Sequence, residues 1–203
     1  LSLAGDIRVD AVVSQGCRPI GRLGRVTKAD RNRLMAVDDR SARCFVEEQL
    51  SGLSNEDLEL AERGPLFLGV ASDPFAKSAP AQGEFLVRNI LGIDPETGNV
   101  IVGDHLPIGR QVQLHLRDGT TSARDLQKRL ARASTASASA ALLFRCLGRG
   151  GQEHEEFANL AHHVPLVGFH CNGEIGPVGS STHLLGYTAV FALLRPGPIT
   201  ERT

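Results

Sequence analysis

The 203-residue sequence has almost no net charge, no long apolar run and no closely spaced pair of cysteines. A formal charge of −1 gives no overall attraction to nucleic acid or to an anionic membrane, so neither partner is predicted. Because no run of about 18 apolar residues exists, no transmembrane helix is expected. The first residues, LSLAGDIRVD, do not have the pattern of a signal peptide, and we expect the chain to begin inside a larger protein.

Cysteine and histidine spacings give no metal or disulfide motif. The four cysteines are irregularly spaced and none belongs to a C-x-x-C pair, which favours reduced thiols and a cytoplasmic location. No H-x-x-x-H pair is present, and the adjacent His162 and His163 project from different sides of a helix. We therefore expect neither a metal nor a cofactor.

Nucleotide-binding and catalytic motifs are absent or incomplete. The sequence has neither a P-loop nor a G-x-S-x-G nucleophile elbow. The stretch CLGRGGQE (146–153) resembles a dinucleotide fingerprint, but Glu153 stands where that motif needs Gly or Ala. Cys146 lies near Arg149, yet no His and Asn or Asp partners have the spacing of a known triad. We predict that the chain is not an enzyme, with a thiol-dependent enzyme as the alternative.

Hydrophobic periodicity predicts an α+β protein with a mostly antiparallel or mixed sheet flanked by helices. In RQVQLHLRD (110–118), apolar and polar residues alternate strictly, which is typical of a strand with one apolar face and one polar or partner-facing face. The polar positions are Gln111, Gln113, His115 and Arg117. Helical spacing occurs in SARCFVEEQLSGL, with Ser41 as a possible N-cap, and in TTSARDLQKRLARAS and GQEHEEFANLAHH.

Two glycine-containing stretches are predicted to be loops. QGCRPIGRLG (15–24) combines three glycines with a proline, which is typical of an ordered loop. CNGEIGPVG (171–179) places one carboxylate in a glycine-rich turn between two apolar runs, which we interpret as core strands.

Four glycine-rich turns carry reactive or charged side chains, and together they suggest one binding site. They are SQGCRPIG (14–21), RNILGID (88–94), CLGRG (146–150) and CNGEIGPVG (171–179). The candidate ligand-binding residues on them are Cys17, Arg18, Arg88, Asn89, Cys146, Arg149, Asn172 and Glu174. The arginines could hold a carboxylate by paired donors, while Glu174 and Asn172 could receive an ammonium or amide. The alternative is that these are tight turns joined by salt bridges, with Glu174 paired internally to Arg149 or Arg18.

Several stretches in one order resemble the FIST domains of bacterial signalling proteins and of some F-box proteins. They are SQGCRPIG, FLVRNILGIDPETG, GRQVQLHLRDG, LLFRCLGRG and GFHCNGEIGPVG…HLLGYTAVFAL, which extend from about residue 8 to residue 194. The resemblance implies that residues 1–40 end an N-terminal FIST domain, that 41–195 form the C-terminal FIST domain and that 196–203 are a tail.

The resemblance also implies a function. FIST domains are expected to act as sensory domains that bind a small ligand, with amino acids or related metabolites as the proposed class. The expected partners are this ligand, the missing N-terminal FIST half and a signalling output domain. A protein-interaction scaffold, as in the F-box-linked members, is the alternative, in which Gln111, Gln113 and His115 dock a partner.

Overall fold

The computed structural model describes residues 6–75, 78–81, 83–150 and 154–197. Within these ranges the strands are β1 (Ile7–Gln15), β2 (Cys17–Asp30), β3 (Arg33–Val37), β4 (Arg40–Ser41), β5 (Leu66–Ala71), β6 (Phe85–Ile93), β7 (Val100–Val102), β8 (Gln111–Arg117), β9 (Ala140–Cys146), β10 (Leu166–Cys171), β11 (Glu174–Val178), β12 (Ser181–Leu185) and β13 (Thr188–Pro196). The helices are α1 (Ala42–Ser51), α2 (Asn55–Arg63), α3 (Gly119–Arg132) and α4 (His154–His163). The predicted α+β class, with mostly antiparallel sheets, is confirmed.

The chain forms two compact units. The first unit consists of the chain up to Gly16, Gly119–Pro177 and the chain from Ser181 onward, and the second consists of Cys17–Asp118 and Val178–Ser180. Each unit has its own apolar core. Among the described helices, none combines the length and apolarity that crossing a membrane requires.

The second unit is built around an antiparallel sheet that closes on itself. Its strand order is β2-β8-β5-β6-β7-β3-β4, and β2 also pairs with β3. Apolar side chains from all sides of this sheet fill the centre, and α1 adds Phe45 and Val46 to them. The additional pairing of β2 with β3 joins the two sides of the sheet and leaves fewer unpaired strand edges.

A serine side chain caps the start of each of the helices α1 and α2. The Ser41 side chain accepts a hydrogen bond from the Cys44 N–H, and the Ser54 side chain accepts one from the Asp57 N–H. Each serine thereby satisfies one of the N–H groups that a helix start leaves without an intrahelical acceptor. The predicted N-cap at Ser41 is confirmed.

The prediction of a loop at QGCRPIGRLG was wrong, because most of this stretch belongs to strand β2. β2 pairs with β8 from Cys17 to Ile20 and again from Gly24, with an irregularity between. Gly21 has a φ of 61° within that irregularity. A bulge lets a strand accommodate glycine in a left-handed conformation while pairing continues on both sides.

Strand β8 does not have the open polar face that its alternation suggested. Val112, Leu114 and Leu116 are fully buried, as predicted, but His115 is also buried, at 1% exposure. Its ring packs edge-on against Phe85, with centroids 4.8 Å apart. It fills the space beside Gly69, where a Cβ would lie 2.2 Å from the imidazole Cε1. A missing side chain on β5 therefore makes room for the imidazole on β8.

The first unit contains a four-stranded sheet in the order β1-β13-β9-β10. β1, β13 and β9 pair antiparallel, whereas β9 and β10 are parallel, with α4 between them in sequence. α3 and α4 cover one face, which we call the helix face, and their Leu126, Leu130 and Leu160 join Val12 and Phe191 in the core. Residues on each strand alternate between this face and the opposite one, which we call the open face.

The stretch CNGEIGPVG is not a turn but largely strand β11, which pairs with β12 in a separate two-stranded sheet. A Cβ on Gly176 would lie 2.9 Å from Val13 Cγ2 and 3.3 Å from Val190 Cγ2. Gly176 therefore allows the β11 backbone to approach one end of the open face closely.

Strand β10 is an exposed edge strand rather than the core strand that its apolar sequence suggested. Val167 and Phe169 on its open-face side are 65% and 60% exposed. Phe169 packs at right angles against Phe144 of β9, with centroids 5.3 Å apart. The apolar pattern correctly predicted a strand here. Apolar composition alone does not determine whether another part of the protein covers the faces of that strand.

Candidate functional site

A row of polar and sulfur-bearing residues crosses the open face at one end of the four-stranded sheet. Cys171 of β10 pairs in register with Cys146 of β9. Ala189 of β13 pairs with Arg145 of β9. Because these strands are antiparallel, the next pair toward this end of the sheet is Thr188 and Cys146, which lie side by side. We call Thr188, Cys146, Cys171 and Glu174 the end-row cluster.

Glu174, the first residue of β11, supplies the carboxylate of this cluster. Its Oε1 accepts a hydrogen bond from the Cys171 thiol at 3.1 Å, and its Oε2 accepts one from the Thr188 hydroxyl at 2.5 Å. Cys146 lies on the strand between these two donors. The carboxylate therefore bridges two strands that are not neighbours and lies over the strand end that carries Cys146.

The Glu174 carboxylate is 2% exposed. In the described part of the chain, its hydrogen-bond donors are the Cys171 thiol and the Thr188 hydroxyl, which are both neutral, and no lysine, arginine or histidine bonds it. Removing a carboxylate from water without a cationic partner is costly unless hydrogen bonds satisfy it. The end-row cluster is thus a negatively charged position held by two neutral donors, one of which is a thiol.

The thiol of Cys171 is held in its protonated form. Burial, the hydrogen bond to Glu174 and the negative charge of that carboxylate together raise the pKa of Cys171 to about 11. Its sulfur also lies 3.6 Å from the Arg145 carbonyl oxygen. Cys146 is 5% exposed. An activated catalytic cysteine has a lowered pKa, so this environment does not prepare Cys171 as a nucleophile at neutral pH.

Arg149 lies on the other side of the sheet from Glu174. The Arg149 guanidinium, fully buried, donates to the Ser14 carbonyl oxygen at 2.5 Å and to the Ser14 Oγ at 2.9 Å. Ser14 Oγ in turn donates to Asp125 of α3, so this network belongs to the helix face. Thr188, the partner of Glu174, belongs to the open face. The alternation of β1 and β13 therefore separates the two charges.

Four of the predicted site residues, Cys17, Arg18, Arg88 and Asn89, belong to the second unit. Arg18 donates to Asp57 and, at 2.9 Å, to Asp118. Burial lowers the pKa of Arg18, but the two aspartates outweigh it and the net shift is upward.

The other residues of this group also have contacts within the unit. Arg88 donates to Asp104 at 2.5 Å, and the Asn89 carbonyl oxygen accepts from the Gly103 N–H. Cys17 is buried, at 1% exposure. Within the described residues, these arginines bind carboxylates of the protein itself.

The structure thus brings together only part of the predicted set. Cys146 and Glu174 lie in the end-row cluster, and Asn172 is exposed on the short connection beside them. Cys171 and Thr188 complete the cluster but were not among the predicted site residues. A signal for Cys171 existed, since it stands three residues before Glu174 in the glycine-rich stretch. No local signal marked Thr188, because only the pairing of β13 with β9 brings it there.

No group of three or more metal-ligating side chains is close enough to hold an ion in the part of the chain that the structure describes. The end-row cluster offers two thiols and one carboxylate, but not in a metal-binding arrangement. Its chemistry is that of a buried carboxylate beside two thiols, of which Cys171 has a raised pKa.

Comparison with known proteins places this chain in a family. Residues 1–40 match the FIST N domain and residues 44–177 match the FIST C domain. The chain therefore belongs to the FIST family, as its motifs suggested. FIST domains are sensory domains of signal-transduction proteins.

Curated relatives share this similarity along most of the chain. An uncharacterized protein of Mycobacterium tuberculosis is 37% identical over 193 residues, covering 90% of this chain and 50% of the relative. An uncharacterized protein of Mycobacterium bovis is 36% identical over 192 residues, covering 90% of this chain and 49% of the relative. The chain spans about half the length of these relatives. No solved structure matches it.

Proposed function

We propose that this protein is the small-molecule-binding sensory part of a cytoplasmic signalling protein, and that it is not an enzyme. The ligand carries a protonated amino group, as amino acids and related metabolites do. The observation that carries this proposal is the buried Glu174 carboxylate, whose two hydrogen-bond donors are both neutral. An ammonium group would add the positive charge that this carboxylate lacks.

In this proposal the ligand reaches the Glu174 carboxylate from the Cys171 side. A thiol is a weak hydrogen-bond donor, so an ammonium can replace it at Glu174 Oε1 more readily than it can replace the Thr188 hydroxyl. Cys171 is partly exposed and Asn172 next to it is exposed. The amide of Asn172 is then available to a second polar group of the ligand.

The thiol environment supports a binding role over catalysis. The raised pKa of Cys171 keeps it protonated at neutral pH, and Cys146 is buried. Neither cysteine is thereby prepared for the nucleophilic attack that a thiol enzyme requires.

A thermal-shift panel of the twenty amino acids and their N-acetyl derivatives tests the proposal. A ligand at about 100 times its Kd stabilises the folded protein by about 2.7 kcal/mol, which corresponds to roughly 5–10 °C in Tm for a chain of this size. We expect at least one free amino acid to raise Tm and its N-acetyl form, which has no ammonium, to leave Tm unchanged.

Two substitutions make the test specific for Glu174. Glu174→Gln is expected to abolish the shift, while Glu59→Gln, which removes an exposed carboxylate on α2, is expected to retain it. Absence of a shift with every free amine would contradict the proposal, as would equal shifts with free and N-acetylated forms. The N-acetyl comparison uses the unmodified protein, so it stands even if Glu174→Gln folds poorly.

A second candidate function, a protein-interaction scaffold, is favoured by the open face. Besides Val167 and Phe169, this face carries Val9 of β1, which is 55% exposed. Contiguous exposed apolar side chains mark interaction surfaces more often than isolated ones do. The fitting partner is a protein layer with an apolar face of its own. Gln113 and His115 of β8, which were predicted to dock a partner, offer no such face, because His115 is buried and Gln113 donates to the Gly21 carbonyl oxygen.

A further inference from the structure

The two cysteines of the end-row cluster lie directly opposite each other on neighbouring strands. Cys146 ends β9 and Cys171 ends β10, and the parallel pairing places them in register. Residues in register project from the same face, and neighbouring strands are about 4.7–4.9 Å apart. Cα atoms joined by disulfides are usually about 4.4–6.8 Å apart, so this pair needs no rearrangement of the strands to be joined.

The two thiols differ in accessibility. Cys171 is partly exposed at an edge strand, whereas Cys146 is 5% exposed. Both are free thiols. The remaining cysteines, Cys17 and Cys44, belong to the second unit. An external reagent in the first unit therefore meets Cys171 first, with Cys146 beside it.

Glu174 is the charged group that faces the Cys171 thiol. Its Oε1 accepts the Cys171 S–H at 3.1 Å, and its carboxylate lies over the strand end that carries Cys146. The other ionisable side chains nearby, Arg145 and His170, contact each other on the helix face and not in this cluster. Burial and the charge of Glu174 therefore both oppose loss of the Cys171 proton.

We propose that Cys146 and Cys171 are a modification site, at which a low-molecular-weight disulfide converts the two thiols into an intramolecular disulfide. Cys171 is the attacking thiol and Cys146 the resolving thiol. The site shares Glu174 with the proposed ligand site but requires no ligand.

The exchange balances in two steps. Cys171 loses its proton to the solvent, and its thiolate sulfur attacks one sulfur of the reagent RSSR, which breaks the reagent's S–S bond and releases RS⁻. Cys146 then attacks the Cys171 sulfur of the mixed disulfide and releases the second RS⁻. The two protein protons end on the two leaving thiolates, so the protein dithiol is oxidised, and one RSSR is reduced to two RSH.

The protein's own electrostatics make this exchange slow at neutral pH. Because the thiolate is the nucleophile and the pKa of Cys171 is raised to about 11, the rate should rise about tenfold per pH unit between roughly pH 7 and pH 10. The groups that face this thiol are Glu174 and Cys146. Removing the Glu174 charge should therefore accelerate the first step, by about tenfold for each unit by which the pKa falls.

The test uses oxidised glutathione on the full chain in a Cys44→Ser background, which removes the exposed thiol of α1. We expect a mass loss of two hydrogen atoms and a linked peptide that joins Cys146 to Cys171. Cys146→Ser should instead stop at a mixed disulfide on Cys171, with a mass gain of one glutathionyl group. Cys171→Ser should react far more slowly, because Cys146 is buried.

Three results would overturn the proposal. They are a stable mixed disulfide on Cys171 while Cys146 is intact, a linked peptide that joins either cysteine to Cys17, and a rate that Cys171→Ser does not lower. Glu174→Gln supplies a readout that a purely structural role of Glu174 would not move, namely the pH dependence of the rate. Failure of the ligand panel leaves this result unaffected, since the exchange requires the disulfide of oxidised glutathione and not its amino groups.

Discussion

Burial in the folded protein opposes the protonation of His115. Burial lowers its pKa to about 4 from the ordinary value of 6.5, because the charged imidazolium would lose its hydration beside Phe85. Its Nδ1 lies 3.1 Å from the Gln113 carbonyl oxygen. Below the unfolded pKa, the unfolded chain binds a proton that the folded chain does not. His115 therefore lowers stability as pH falls from about 6.5 to about 4, by about 3 kcal/mol in total.

Urea unfolding at several pH values between about 7.5 and about 4.5 measures this contribution as a difference between two proteins. His115→Asn keeps a side-chain donor near the position of Nδ1 but has no group that titrates in this range. We expect its stability to fall less steeply with decreasing pH than that of the unmodified protein. Parallel pH profiles would show that His115 does not oppose protonation as described.

On strand β10, a substitution at an exposed position can test binding to the open face without changing the stability of the fold. Val167 is 65% exposed, so Val167→Lys should change the free energy of unfolding by less than about 0.5 kcal/mol. The same substitution should reduce the binding of an apolar dye and the affinity of any protein partner for the open face. It should leave ligand-induced thermal shifts unchanged.

Val190→Lys is the matched control for β10. Val190 on β13 projects from the same face of the same sheet but is 5% exposed beneath Gly176. Placing an ammonium there should cost several kcal/mol, because a buried charge without a partner is strongly unfavourable. Equal destabilisation by Val167→Lys would mean that the open face is covered in the folded protein and is not an interaction surface.

At the scale of the whole molecule, the described residues form two apolar cores, one in each compact unit. Phe45 and Phe191, both at 0% exposure, belong to the second and the first core respectively. Phe45→Leu and Phe191→Leu should each cost about 1 kcal/mol, since each keeps the core apolar and nearly filled. We expect amide hydrogen exchange to become faster mainly in the unit that holds the substitution. The same exchange pattern from both variants would contradict two separate cores.

The sequence predicted helices and strands correctly where their formation depends on residues close together in the chain. Ser41 caps α1 and the apolar positions of β8 are buried, because capping and alternation depend on residues a few positions apart. The glycines and proline of β2 concealed a strand, since a bulge and pairing with β8 compensate for them. That compensation comes from a distant segment and has no local signature.

The candidate site was less predictable for the same physical reason. Glu174 stood out by itself as a carboxylate among glycines, but its two hydrogen-bond partners come from two different strands, and Cys146 comes from a third. Cys146 and Thr188 are adjacent only because β9 pairs with β13, and Cys171 joins them only because β10 pairs in parallel with β9. The separation of Arg149 from Glu174 follows from the opposite faces of their partners, Ser14 on β1 and Thr188 on β13. A one-residue change of register in either strand would move its partner to the other face.

The fit between Gly69 and the imidazole of His115 has an evolutionary consequence. A Cβ at position 69 would lie 2.2 Å from the ring, so neither position can change freely while the other stays as it is. Homologues should therefore vary at the two positions jointly: glycine at 69 where a ring occupies 115, and a larger residue at 69 only where 115 has become small. Ancestral sequences that lost one member of the pair should have lost the other within few substitutions.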